Sequence, residues 1–469
     1  MTPSASDHYD LIVVGGGSGG YVAAIRAAQL GMTVGIVEER YWGGVCLNTG
    51  CVPSKALLRN AEIAAIVTQQ PALFGISGHI SLDYARAVSR SREVAEARVR
   101  GVHFLMRKNN ITEIDGHGRF ISPHRIEIDL RDGGKRVLSF DHAVIATGSR
   151  VRMLPGVVLS DNIVTYEQQI LRADLPESIV IIGAGGIGME FAYILHSYGV
   201  RVEILEFADR ALPNEDAAVS AELQRHFRRR GITIHTSTRV ATVTDHGECV
   251  TVSYTGVDGT YATTKAARAF ICIGFCPNVE GIGLDVAGVR VTAAGAVDID
   301  DYMRTSAPHI YAVGDVTAKV QLAHVASAQG VVAAETIGNV QTMPLDYPMM
   351  PRVTFCQPQV ASFGLTEEQA RAAGHRIRVA TFPMRASAKA HGLGERGGFI
   401  KMIADDEHGE LLGAHLVGSE VSELLPELTL ARLWDLTVTE LARNVHTHPT
   451  LGEGLQECFH ALTEGAINL

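Results

Sequence analysis

Apolar residues recur along the chain in short β-type runs and longer helical stretches, set off by glycine. Tyr9 to Val14 (YDLIVV) is such a run; Gly15-Gly16-Gly17-Ser18-Gly19-Gly20 follows at once, and a helical stretch continues through Leu30. After Gly31, a second run from Thr33 to Val37 ends in Glu38, an acid 18 residues past Gly20. Strand, glycine turn, helix, strand and acid in this order are the signature of a βαβ unit that binds a dinucleotide. Gly15, Gly17 and Gly20 permit a tight turn and close approach of backbone N–H groups to a pyrophosphate, whose charge the helix N-terminus favours. Glu38 is placed to accept hydrogen bonds from ribose hydroxyls.

The same pattern recurs at a constant offset of 168: Ile179 to Ile182 leads into Gly183-Ala184-Gly185-Gly186-Ile187-Gly188, and Gly199, Val202 and Glu206 stand for Gly31, Val34 and Glu38. A glycine-rich turn without a ligand does not need helix length, second strand and acid repeated without a gap, so two separate dinucleotide sites are expected, on Gly15, Gly17 and Gly20 and on Gly183, Gly185 and Gly188. A carboxylate at Glu206 pairs with a free 2′-hydroxyl and repels a 2′-phosphate, which favours NAD over NADP despite Arg201 and Arg210 nearby. After Pro348 and Pro351 the pattern changes to β-type runs at 353–356, 399–403 and 411–417 and a helical 420–435.

At 469 residues, the chain has room for about three domains. Its 48 glycines fit many tight turns. Lys+Arg 41 against Asp+Glu 51 gives a net charge of −10, which argues against nucleic acid or an anionic membrane as partner. The longest apolar stretch, 179–195, is broken by four glycines and carries Glu190, so no membrane span is expected. MTPSASDHYD shows no basic segment followed by an apolar one, and a cytoplasmic protein is expected. Seven cysteines, an odd and sparse set, do not suit a disulfide-stapled scaffold.

One close pair stands out in Gly43-Gly44-Val45-Cys46-Leu47-Asn48-Thr49-Gly50-Cys51-Val52-Pro53-Ser54-Lys55. Cysteines five apart lie too far apart in a straight helix, so bridging them needs a turn or distorted helix start, for which Gly50 and Pro53 supply the irregularity. A helix from about Ser54 would bring its positive end to Cys51 and stabilise a thiolate, and Lys55 adds a fixed charge. Buried structural thiols or half a zinc site are the other readings of such a pair; no second CxxC-like pair supports zinc, and no metal is expected. Cys249, Cys272, Cys276, Cys356 and Cys458 read as small core residues. Arg86, Arg90, Arg92, Arg98 and Arg100 lie on a helical stretch, read as a solvated face that an acidic carrier can also use.

The run GGVCLNTGCVPSK between two glycine motifs resembles the redox-disulfide class of the flavoprotein pyridine nucleotide-disulfide oxidoreductase family. So do Ala146-Thr147-Gly148-Ser149, Gly274-Phe275-Cys276-Pro277-Asn278, Tyr311-Ala312-Val313-Gly314-Asp315-Val316 and His446-Thr447-His448-Pro449-Thr450 with Glu453. Within the family, GGVCLN, Glu206 and HPTLGE are most similar to the branch that oxidises dihydrolipoyl groups, particularly its actinobacterial members. The resemblance implies an α/β fold of two Rossmann-like dinucleotide-binding domains, for FAD and NAD, plus a C-terminal α+β dimerisation domain. The FAD domain would be split between residues 1–150 and 282–347, with the NAD domain at 151–281 and the interface domain at 348–469.

The resemblance also implies roles. One non-covalent FAD per subunit would lie on Gly15, Gly17, Gly20 and Glu38, with Gly118, Thr147, Gly148, Ser149, Asp315 and Ala323 completing the site and Asp315 on the ribityl chain. Lys55, paired with Glu190, would stand beside the flavin. NAD would lie on Gly183, Gly185, Gly188 and Glu206, with Val240 and Gly274 nearby. Cys46 and Cys51 would form the redox-active disulfide; His448, held by Glu453, would be the base, supplied by the other subunit of a homodimer. A dihydrolipoyl thiol is a poor nucleophile until deprotonated, so such a base suits the chemistry. The implied partners are the lipoyl-bearing acyltransferase subunits of 2-oxo acid dehydrogenase complexes. A glutathione- or mycothiol-type disulfide reductase and a flavin quinone reductase stay open as alternatives. Ser18, Thr49 and Phe275 depart from residues common in the family; Phe275 removes a positive charge.

Overall fold

A computed structural model describes residues 7–468; the run 1–6, which carries most of the segment read for a leader, lies outside the described residues. The chain divides into two compact units, one holding the residues through Ser54, Ser89–Arg152 and Gly274–Tyr347, the other Lys55–Val88, Met153–Ile273 and the chain from Pro348 on.

In the first unit, strand His8–Val14 lies between Val34–Glu38 and Lys135–Ile145, parallel to both, and Ile310–Ala312 adds to the far side of Lys135–Ile145. Val34–Glu38 and Ile310–Ala312 are buried throughout, and the C-terminal ends of His8–Val14 and Lys135–Ile145 are too, so these stretches read as continuous apolar runs rather than alternating ones. Thr112–Ser122 pairs parallel to Val34–Glu38, and Arg125–Leu130 joins it antiparallel to Lys135–Ile145. Helix α1 (Ser18–Gln29) crosses between the first two strands and packs on Ala323–Ile337 through Gly19 and Gly330, and Arg26 pairs with Glu335 at 2.7 Å. Three further helices follow in the chain: α2 (Gly44–Asn48), α3 (Cys51–Gln69) and α4 (Tyr84–Lys108).

The second unit holds a parallel sheet ordered Thr233–His235, Arg201–Leu205, Ser178–Ile182, Arg268–Ile271, Ile163–Thr165, and an antiparallel three-stranded sheet from Arg239 to Ala266. It also holds an antiparallel sheet ordered Arg352–Thr354, Gln359–Gly364, Leu411–Gly418, Phe399–Asp405, Ile377–Pro383. Two of its strands, Gln359–Gly364 and Ile377–Pro383, were not expected from the sequence pattern. The helical segment expected at 420–435 is a 3-10 turn, Val421–Leu424, followed by helix Leu425–Leu433, because Pro426 sits at the start of the helix where its missing N–H is harmless. No helix among the described residues is long and apolar enough to cross a membrane.

Candidate active site

The two glycine turns are built alike. Gly15 and Gly183 hold φ of 110° and 111°, a region closed to residues with a Cβ. Gly17 and Gly185 cap their helices with φ −72° and no side-chain cap, which leaves first-turn N–H groups for a diphosphate. A Cβ on Gly20 would stand 1.9 Å from the Gly15 carbonyl oxygen, and one on Gly188 2.1 Å from that of Gly183. The acids act on the turns themselves. Gly16 N–H donates to Glu38 Oε2 at 2.6 Å and Ala184 N–H to Glu206 Oε2 at 2.5 Å, while the other oxygens accept from Arg40 and Tyr41 or from Ala208. Each buried carboxylate thus holds the mouth of its turn and keeps lone pairs for a ribose.

The first unit gathers most of the residues assigned to FAD. The Thr147 hydroxyl donates to the Asn278 carbonyl at 2.7 Å, and Asn278 N–H donates to the Gly148 carbonyl. Ser149 Oγ donates to Asp315 Oδ2 at 2.7 Å, and burial pushes that carboxyl up. Ala323 opens its helix, and Gly118 lies in Thr112–Ser122, where a Cβ would meet Ile126 at 2.9 Å. Strand Phe275–Pro277 pairs antiparallel with Ser149–Val151, setting Cys276 opposite Arg150, so positive charge stands beside the Phe275 departure on the neighbouring strand.

Cys46 lies within α2 and Cys51 opens α3; the helix expected from about Ser54 starts three residues earlier, since Pro53 falls in its first turn. Between them the chain breaks at Thr49, and a Cβ on Gly50 would lie 3.3 Å from Cys46 Cα, so the residue before Cys51 folds back onto Cys46. The helix N-terminus stands at Cys51 itself. Thr49 is buried, and its hydroxyl has no hydrogen-bond partner among the described residues, an orphan that a cofactor heteroatom between the cysteines would satisfy. The Tyr21 hydroxyl is pushed up by burial and by the field of Cys46, with Arg98 opposing.

In the second unit, Lys55 Nζ donates to both oxygens of the buried Glu190 at 3.1 and 3.0 Å and lies 4.7 Å from the Phe355 ring centre. Phe355 N–H also donates to Glu190, fixing the carboxylate from a second side. Glu190 belongs to the helix Gly186–Ser197 that the second glycine turn begins. Val240 packs against the apolar cluster beneath this turn, whereas Gly274 falls in the first unit.

His448 Nδ1 lies 2.7 Å from Glu453 Oε1, and Glu453 Oε2 accepts from Thr450 N–H at 2.8 Å. A carboxylate only accepts, so Nδ1 carries a proton, and in the neutral ring the lone pair is on Nε2. Burial alone would raise Glu453; the His448 and Thr450 hydrogen bonds outweigh it and hold the carboxyl low. Beside this dyad stands a second one that sequence reasoning missed: His446 Nε2 pairs with Glu427 at 3.0 Å. The 19 residues that separate the two carry no signal for the pairing in the sequence. Of the cysteines read as core, Cys356 and Cys458 are buried, while Cys249, Cys272 and Cys276 are half-buried. Cys272 underlies the second turn, with its sulfur 3.1 Å from a Cβ built on Gly188.

Comparison with known proteins gives the family. The pyridine nucleotide-disulphide oxidoreductase family matches residues 9–330, and the dimerisation domain of that family matches residues 350–459. The chain is 61% identical over 462 residues to the dihydrolipoyl dehydrogenase of Mycobacterium tuberculosis, covering 98% of this chain and 99% of that one. It is 52% identical over 469 residues to the dihydrolipoyl dehydrogenase of Corynebacterium glutamicum, covering 99% and 100%. Among solved structures, LpdA from Mycobacterium tuberculosis superposes with a TM-score of 0.90 at 28% identity, covering 97% and 99%. The HOCl-induced flavoprotein disulfide reductase RclA from Escherichia coli superposes at 0.85 and 26%, covering 96% and 99%. The chain therefore belongs to the pyridine nucleotide-disulphide oxidoreductase family.

Proposed function

We propose that this chain acts as a dihydrolipoyl dehydrogenase, converting a dihydrolipoyl dithiol and NAD⁺ to the lipoyl disulfide, NADH and a proton. The full-length 61% identity to the Mycobacterium tuberculosis dihydrolipoyl dehydrogenase carries this reading, and the cysteine hairpin and the His448–Glu453 dyad fit the chemistry. When bound, FAD takes the electron pair from the reduced cysteines and delivers it as hydride to NAD⁺.

The residues divide the work. His448 Nε2 removes a proton from one substrate thiol, and Glu453 stabilises the imidazolium. The substrate thiolate attacks Cys46 Sγ and releases Cys51 as a thiolate, which the N-terminus of α3 favours. The second substrate thiol then closes the lipoyl ring and releases Cys46 reduced. Gly15, Gly17, Gly20, Glu38, Thr147, Gly148, Ser149, Asp315 and Ala323 would hold FAD, with Lys55 and Glu190 at its redox end. Gly183, Gly185, Gly188 and Glu206 would hold NAD, Glu206 selecting the free 2′-hydroxyl.

The enzyme is a cytoplasmic homodimer in this reading, serving lipoyl-bearing acyltransferase subunits of 2-oxo acid dehydrogenase complexes. Leu430, Leu433 and Trp434, 56%, 60% and 70% exposed, form an apolar patch in the segment matching the dimerisation domain and suit a second copy. The test is the initial rate of NADH formation from dihydrolipoamide, with NADP⁺ as control. A fast NAD-specific rate supports the reading; no rate from a flavin-loaded protein that still oxidises NADH with a quinone overturns it.

A further inference from the structure

On the exposed side of α4 between Arg90 and Lys108, where Glu96 and Arg98 also lie, one ladder of three- and four-residue steps runs Arg90, Glu93, Ala97, Arg100, Phe104, then Arg107 and Lys108, all exposed. Ser91, Ala95, Val102 and Met106, on the other side of the same stretch, are buried and account for its helical packing. Arg107 and Lys108 stand in the last turn, where the helix dipole favours a cation, but that effect does not reach Arg100 and gives no reason for an exposed Phe104 between them. Arg100, Arg107 and Lys108 have no ion-pair partner among the described residues, although the chain as a whole carries a net charge of −10. Phe104, 58% exposed, stands among them. A large aromatic ring ringed by cations is the make-up of an interface anchor rather than of a solvated face.

This helix is tied to the redox centre. Arg92 donates to the carbonyl of Asn48, the last residue of α2 and two residues past Cys46. We propose that the Arg100–Phe104–Lys108 face of α4 docks an acidic domain that carries the dihydrolipoyl group. In this arrangement Arg100, Arg107 and Lys108 meet carboxylates and Phe104 enters an apolar spot between them. The proposal rests on the function read above and names how its protein-bound substrate is recognised.

The test compares NADH formation from free dihydrolipoamide and from a purified dihydrolipoylated carrier domain of net negative charge, using the FAD-loaded enzyme. Arg100→Glu/Arg107→Glu and Phe104→Ser are each expected to lower the rate at limiting carrier domain about tenfold and to leave the rate with free dihydrolipoamide unchanged. In the wild type, added salt should slow the carrier reaction and spare the free one, an effect that needs no variant. Equal loss with both substrates, a carrier rate indifferent to salt, or dissociation to monomers in sedimentation would each overturn the docking. Absence of NADH from free dihydrolipoamide in the wild type would instead strike the functional reading, and the docking with it.

Discussion

Gly185→Ala separates a glycine needed for a ligand from one needed for the fold. At Gly185 the backbone has φ −72°, open to any residue, and a built Cβ meets nothing within 4 Å. The protein itself therefore tolerates alanine there. Losing the glycine's unfolded-state freedom adds about 0.4–1 kcal/mol, and the weaker helix cap removes a similar amount, so stability should change by less than about 1 kcal/mol. At Gly188 the Cβ would lie 2.1 Å from the Gly183 oxygen, more than an ångström inside ordinary contact, and the turn must open. If a diphosphate approaches the Gly185 backbone, the added methyl costs that ligand about 1–3 kcal/mol, or about 5- to 150-fold in affinity. The assay is the KM for NAD⁺ in dihydrolipoamide oxidation, with flavin absorbance and thermal unfolding on the same samples. Gly185→Ala should raise KM with flavin content and Tm intact, while Gly188→Ala should also lower Tm. An unchanged KM in Gly185→Ala, in a folded flavin-loaded protein, would refute the assignment of this turn to NAD.

Three further outcomes follow from the geometry. His448→Gln should cut dihydrolipoamide turnover by about 10²- to 10⁴-fold, and Glu453→Gln by less, with NADH oxidation by a quinone retained; equal loss of both reactions would argue against a base. Lys401→Met leaves the Asp216 carboxylate buried without the ammonium that lies 3.0 Å from it, and should cost about 3–5 kcal/mol in urea unfolding near neutral pH. Burial pushes Asp216 up, but Lys401 and the Ala218 and Glu367 amides hold it below its ordinary value; its stabilisation is present above the unfolded pKa of about 3.9 and fades as pH falls through the lower folded value, so the gap between variant and wild type should narrow in acid. Leu433→Glu/Trp434→Glu should yield monomers in sedimentation that keep FAD but lose dihydrolipoamide turnover; a persistent dimer would place the interface elsewhere.

What the sequence made legible and what it hid have a common physical origin. The repeat of 168 is visible because strand, turn, helix and acid form one local unit, and helices Ser18–Gln29 and Gly186–Ser197 keep the same spacing residue for residue. The likeness runs further in space than along the chain. Ala146 N–H donates to the Val14 carbonyl and Cys272 N–H to that of Ile182, so Ala146-Thr147-Gly148 and Cys272-Ile273-Gly274 leave corresponding third strands. Their separation is 126 rather than 168, since the insertions before them differ in length, and a fixed-offset reading cannot follow them. Strand Ile377–Pro383 was missed for another reason. It is the edge of its sheet and only partly buried, so its apolar alternation is weak. Glu38 and Glu206 show the limit most clearly. Their position pointed to ribose, yet in the folded chain each carboxylate first closes the glycine turn 22 residues before it. An acid that shapes the turn and would also meet the sugar makes substitution there ambiguous. Glu206→Gln should weaken NAD binding even if no ribose contact existed, because the Ala184 amide loses its charged acceptor. The substitution that isolates recognition is therefore Gly185→Ala, which leaves that hydrogen bond in place.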